Sequence, residues 1–205
     1  MFDVALFLSN LKTKNIARNI EYIQSLSSTN TVIYEMLMNN EIDIKDVLIA
    51  EQQTDGRGRR GDKWFSSKNK SLTFSFIINS EELSINKLSL LVGISIITGI
   101  QKAANIRFKL KWPNDIMYKN KKLGGVLIEK KKAYYIIGIG LNVNDFIFDP
   151  SIKSRACSIH SITNNKISRE LIMAEIFNSY EKMANKDLSQ IIKIWESFCN
   201  HMNTI

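Results

Sequence analysis

Cysteine, proline and histidine are scarce in this 205-residue chain, with two of each. Cys157 and Cys199 have no Cys-x-x-Cys spacing and no histidine partner. That pattern excludes a zinc ribbon or a disulfide framework and predicts reduced thiols in a cytosolic compartment. His160 and His201 lack companions for a triad or a metal site and read as surface or structural residues, so no metal ligands are assigned. No Gly-x-Ser-x-Gly elbow occurs, and no glycine loop ends in Gly-Lys-Ser/Thr, which excludes a serine-hydrolase elbow and a P-loop. Long hydrophobic runs are also missing. Leu88 to Ile100 is interrupted by Ser89, Gly93, Ser95 and Thr98 and falls short of the ~20 residues a bilayer span requires. Val4 to Leu8 follows Asp3 without a basic lead, which argues against a signal peptide. A soluble, cytoplasmic protein with no membrane partner is expected.

What remains is a globular composition: 44% hydrophobic and 23% charged, enough for one sizeable core and too short for two comfortable domains. With 28 Lys+Arg against 20 Asp+Glu, the net charge of +8 suits an anionic partner. Lysine outnumbers arginine 21 to 7, however, a bias that can pervade a proteome, so net charge carries little weight. Without repeats or Pro/Gly-rich linkers, residues 1–17 read as a tail and 18–205 as one domain. Strands are predicted at Ile20–Leu26, Val47–Gln53, Leu72–Ile78 (half-buried, by its alternation), Phe108–Leu110, Ile116–Tyr118, Gly124–Glu129 and Tyr134–Gly140. Ser28-Thr29-Asn30 offers N-cap chemistry for a helix carrying Val32, Ile33, Met36 and Leu37, and further helices are predicted over Ile85–Ala104, over Ser168–Ala184 and from Leu188 to about Met202. The fold class is α+β: a mixed, mostly antiparallel sheet covered largely on one face by helices.

Three strings depart from this background. Gly56-Arg57-Gly58-Arg59-Arg60-Gly61-Asp62-Lys63-Trp64 gathers three of the seven arginines within four residues. Glycine lets backbone approach a ligand, and arginine offers a fixed fork of donors for phosphate or carboxylate. Trp64 adds a flat face for a base. The bland alternative is a solvated basic loop or a nucleic-acid patch. Lys111-Trp112-Pro113-Asn114-Asp115 could be only a rigid turn, which explains its Pro, Asn and Asp but not its Lys and Trp. Lys122-Leu123-Gly124-Gly125-Val126-Leu127-Ile128-Glu129 sets a lysine before a paired-glycine strand, and Gly138-Ile139-Gly140-Leu141-Asn142 repeats the theme. Glycine weakens a strand unless something must pack closely there. Together the strings suggest the floor and lid of a pocket.

In order and spacing these strings resemble those of the biotin–protein ligases (biotin–[acetyl-CoA carboxylase] ligases), over about Ile20 to Phe198. Lipoate ligases share that fold but carry a different arginine–glycine signature. The resemblance implies a catalytic domain of the class II aminoacyl-tRNA synthetase-like kind over residues 18–205. It implies activation of biotin by ATP and Mg2+ to biotinyl-5′-AMP, then transfer to a lysine of a carboxylase biotin-carrier domain. By motif position, Ser28, Thr29, Asn30 and Gln53 would contact biotin, with Arg57, Gly58, Arg59, Lys122 and Gly125 around its carboxyl end. Arg59, Arg60, Trp64, Lys111, Asn114, Asp115 and Asn142 would bind ATP. Arg57, Lys111 and Lys122 would be the catalytic cations.

Three departures from the family pattern stand out. Asp62 occupies a position where relatives often carry a basic residue. Only 27 residues precede Ser28, leaving no helix-turn-helix, so DNA binding is not expected. The chain ends at Ile205, where relatives continue into a small C-terminal β-domain. Two other readings compete: a biotin and nucleotide binder with weak or no transfer, and a nucleic-acid binder. Concentration of the arginines in one loop, without an aromatic-interleaved sheet, counts against the latter. The acceptor's identity and a homodimer are left open.

Overall fold

The computed structural model describes residues 1–199. His201 and the end of the helix predicted to reach Met202 lie outside the described residues. Seven strands form one sheet: β1 (Ile20–Leu26), β2 (Val47–Gln53), β3 (Leu72–Asn79), β4 (Lys109–Lys111), β5 (Asp115–Tyr118), β6 (Lys121–Lys131) and β7 (Tyr134–Leu141). Their order is β1-β2-β3-β7-β6-β5-β4. Only β1 and β2 run parallel, so the sheet is mixed and mostly antiparallel, as the sequence suggested. Among the described residues six α-helices accompany it: α1 (Val4–Asn10), α2 (Thr29–Met38), α3 (Ile85–Ala104), α4 (Ile159–Thr163), α5 (Arg169–Ala184) and α6 (Leu188–Cys199).

Strand alternation divides the core. Val47, Ile49, Phe74, Phe76, Ile137 and Ile139 point to one face and pack with residues of α1, α3, α5 and α6. Leu48, Ile77 and Ile136 point to the other and pack under Ile33 of α2. Phe177 of α5 centres the larger layer, with the rings of Phe7, Phe74 and Phe76 5.3–6.4 Å away. Helix α3 is long and apolar enough to match a bilayer, contrary to the shorter run read from sequence, but its apolar residues belong to this core. Gly99 lets it approach α5 closely: a β-carbon there would lie 2.8 Å from the Ile176 backbone nitrogen.

Three expectations need correction. Residues 1–17 are not a loose tail. Asp3 caps α1 by accepting from the Leu6 N–H, and Phe2, Phe7, Leu11, Ile16 and Ala17 are buried in the main core. Strand β3 is not half-buried: every residue but Asn79 is buried, because α2 covers the face that the alternation left to solvent. Ser28 occupies the α2 N-cap but makes no side-chain capping bond. Instead, Gln53 at the end of β2 accepts from the Thr29 N–H at 2.6 Å and from its hydroxyl at 3.0 Å.

A buried ion pair joins the N-terminus, the sheet and α5. Arg169 donates to both Glu51 carboxylate oxygens, at 2.6 and 3.0 Å, and to the Ser71 carbonyl at 2.9 Å. Glu51 also accepts from Phe2 N–H, the Tyr22 hydroxyl and Asn69 N–H. Burial pushes the Glu51 carboxyl up, but Arg169 and these donors outweigh it and hold the carboxyl below its ordinary value. Burial, reinforced by the Glu51 charge, raises the Tyr22 hydroxyl to about 12. The network anchors Asn69 and Ser71 at the base of the arginine-rich loop.

Candidate functional site

The middle of the sheet carries a cleft of about 650 Å³, and all three sequence strings meet in it. Ser28, Thr29, Asn30 and Gln53 line one wall; Arg57 to Arg60 and Trp64 come from the loop; Lys111 to Asp115, Lys122 and Gly125 come from the opposite side. The two glycines of β7 are explained by the side chains lying on them. A methyl at Gly138 would overlap the Asn30 carboxamide, and one at Gly140 would overlap the Trp64 indole, 2.9 Å from its nitrogen. The hollows in the strand therefore seat parts of the site itself.

The loop is folded back as a narrow hairpin. Gly58 N–H donates to the Asp62 carbonyl at 2.7 Å, Trp64 N–H donates to the Gly56 carbonyl at 2.8 Å, and Arg57 bridges Lys63. At its tip Arg60 adopts φ 56°, a left-handed conformation that costs a non-glycine residue roughly 1 kcal/mol or more, beside Gly61 at φ 83°. Asp62 lines the cleft and contributes its backbone to this hairpin. Two arginines tie the hairpin across the cleft. Arg57 Nη2 reaches Glu129 Oε2 of β6 and Thr31 Oγ1 of α2, each at 3.1 Å. Arg59 donates to Asn114 Oδ1 at 3.2 Å.

Beyond that bond, the turn after β4 closes on β6. Val126 N–H donates to the Asn114 carbonyl at 2.9 Å, and Lys122 Nζ pairs with Asp115 Oδ1 at 2.6 Å. Lys122 is thus held from a paired strand, whereas Arg57 is carried by a hairpin. On the wall formed by α2, Ser75 Oγ lies 2.7 Å from both Thr29 Oγ1 and Asn30 Oδ1, and Asn30 Nδ2 donates to Glu129 and to the Leu127 carbonyl. The side chains by which this wall lines the cleft, Ser28, Thr29, Asn30 and Gln53, are polar and uncharged. The cleft side chains opposite it are largely cationic.

Asn142 is the one predicted site residue that the structure does not bring into the cleft lining. It is buried behind the floor, where its Nδ2 donates to the Cys157 carbonyl at 3.1 Å and its N–H to the Leu123 carbonyl at 2.9 Å. Burial raises the Cys157 thiol to about 11 despite the nearby Lys121 charge, which leaves it protonated and a poor nucleophile. Sequence reasoning missed Thr31, Thr73 and Ser75, and it named Gly138 and Glu129 only as members of their strings, without a role for either. For Glu129 there was a signal: an acid directly after the apolar run Val126 to Ile128, in a half-buried strand, is best placed where a cation meets it.

Residues 22–144 match the model of the biotin/lipoate A/B protein ligase family, and the chain belongs to that family. The chain is 32% identical over 208 residues to the bifunctional ligase/repressor BirA of Bacillus subtilis (strain 168), covering 95% of this chain and 63% of that protein. It thus spans less than two thirds of that relative's length. Among solved structures, the biotin protein ligase from Aquifex aeolicus in complex with biotin and ATP superposes with a TM-score of 0.81. The identity there is 32%, over 89% of this chain and 79% of that one. A 132-residue match at 29% identity to the biotin–[acetyl-CoA-carboxylase] ligase of Mycobacterium tuberculosis covers 62% of this chain and 50% of that enzyme.

Proposed function

We propose that this chain is a ligase that activates biotin with ATP and transfers it to a lysine of a carboxylase biotin-carrier domain in the cytoplasm. The observation that carries the reading is the polarity of the cleft: an uncharged hydrogen-bonding wall at Ser28, Thr29, Asn30 and Gln53 facing Arg57, Arg59, Arg60, Lys111 and Lys122. A ureido ring needs donors and acceptors without charge, whereas a carboxylate meeting a triphosphate needs cations.

In the first step a biotin carboxylate oxygen attacks the α-phosphorus of ATP, and pyrophosphate leaves. Arg57 and Lys122 would stabilise the charge that builds on the α-phosphate oxygens, with the Gly58 and Gly125 backbones beside them. Arg59, Arg60 and Lys111 would hold the outgoing phosphates, with Asn114 and Asp115 on the nucleotide side and Trp64 beside the adenine. In the second step the carrier lysine attacks the acyl carbon and AMP leaves. No protein nucleophile takes part; the chain supplies orientation and fixed charge. Magnesium enters with the Mg-ATP substrate. Among the described residues no group of three or more His, Cys, Asp or Glu side chains is assembled for a resident ion.

The test is to incubate the protein with biotin and Mg-ATP and to assay biotinyl-AMP and pyrophosphate, with lipoate and GTP as controls. Adenylate formed with biotin and ATP alone is expected. Biotin binding without adenylate would favour the binding-protein reading instead.

A further inference from the structure

Glu129 is the only carboxylate that touches both halves of the cleft among the described residues. A single oxygen, Oε2, accepts from Asn30 Nδ2 at 2.8 Å and from Arg57 Nη2 at 3.1 Å. An ionised carboxylate only accepts, so it fixes which way the Asn30 amide lies. Both Nδ2 protons are then spent, one on Glu129 and one on the Leu127 carbonyl, while Oδ1 takes the Ser75 side and keeps a second lone pair. Toward the hairpin, Glu129 and Thr31 share the same guanidinium nitrogen, which leaves Nη1 and Nε of Arg57 unspent on either. A carboxylate competing with a ligand for Arg57 would take the fork with two oxygens. Here one oxygen pins one nitrogen.

We propose that Glu129 is a positioning residue that couples the α2 wall to the arginine hairpin, and through Arg57 sets the affinity for a ligand with an uncharged hydrogen-bonding end and an anionic end. The inference rests on the biotin reading and adds to it the residue that fixes the distance between the two subsites. Gln at 129 can still accept from Asn30 but holds Arg57 without charge; Ala holds neither.

The experiment is calorimetric titration of biotin into wild type, Glu129→Gln, Glu129→Ala, Arg57→Ala and the Arg57→Ala/Glu129→Gln double variant. Roughly tenfold weaker binding is expected for Gln and up to about a hundredfold for Ala, the range of hydrogen bonds to charged groups. The KM for ATP should stay within about twofold. In the Arg57→Ala background the Gln substitution should lose its effect, because it acts through Arg57. If Glu129→Ala fails to fold, the Gln pair still carries the test. Wild-type affinity in Glu129→Gln, or an undiminished Gln effect in the Arg57→Ala background, overturns the positioning role. Wild type that binds no biotin overturns the ligase reading and this role with it, and is recognisable because it needs no variant.

Discussion

Arg169 and Glu51 meet through two hydrogen bonds in the core, with side chains 5% and 1% exposed, whereas Arg57 and Glu129 meet through one at the cleft, 40% and 23% exposed. The pairs share their chemistry and differ in what is left over. In the core every Arg169 bond serves the fold: the guanidinium also holds the Ser71 carbonyl, and Glu51 is filled by donors from three further residues. At the cleft, donors of Arg57 remain for something else. A pair enclosed in the core fixes a scaffold, and a pair half-open to solvent makes a site. Lys122–Asp115 follows the cleft pattern, with a 40% exposed lysine at 2.6 Å from its partner.

The comparison is broken most severely at the core pair. Glu51→Gln leaves Arg169 buried without a counter-charge and should destabilise the protein by about 3–5 kcal/mol, or roughly 10 °C in melting temperature. The sign of the pH dependence follows from the lowered Glu51 carboxyl. Its contribution is complete above the unfolded value of about 4.3 and is lost as pH falls through the folded value. Thermal melts of wild type and variant should therefore differ most at neutral pH and converge in acid.

Next in size are the cleft cations, which should fail in activity rather than stability. Lys122→Ala should slow single-turnover adenylation by roughly a hundred- to a thousandfold, the loss typical of one preorganised group at a developing charge. If Lys122 is merely a turn lysine beside Lys119 and Lys121, the variant will form adenylate at the wild-type rate. Arg57→Ala should instead release biotinyl-AMP roughly ten- to a hundredfold faster, measured by trapping the free adenylate. Gly138→Ala sharpens the contrast without touching charge: its methyl displaces the Asn30 amide, and biotin affinity should fall about tenfold with little change in ATP affinity. Smallest of all, Lys45→Ala removes a pair with Glu82 in which both side chains are more than a third exposed, and should cost under about 1 kcal/mol in a melt.

Much of the fold was legible because the strands and long helices carry clean apolar periodicity, and Ile85–Ala104 matches α3 at both ends. Helix α1 was missed because seven residues give too few turns for a period to register, although Asp3 before Val4 was a capping signal. The burial of β3 was hidden in Thr73 and Ser75, whose polarity suggested solvent but which face a polar cleft wall under α2. At the site, the arginine hairpin, the Lys111–Asp115 turn and Lys122 were readable as unusual strings, and the fold does gather them. Asn142 was placed by motif position; two residues beyond Gly140 it would share that glycine's face in a continuing strand, but β7 ends at Leu141 and the amide turns to the Cys157 carbonyl instead. Glu129 could not be paired with Arg57 from sequence, since 72 residues separate them and only the strand order brings them together.

The most direct test of the central claim is biotin-dependent ATP–pyrophosphate exchange, measured on wild type, Lys122→Ala and Glu51→Gln at a temperature where all three are folded. If the cleft cations do the chemistry and the core pair holds the scaffold, wild type and folded Glu51→Gln will exchange at comparable rates, while Lys122→Ala falls by at least about a hundredfold with its melting temperature nearly unchanged. Exchange that is absent from wild type, or undiminished in Lys122→Ala, would contradict it.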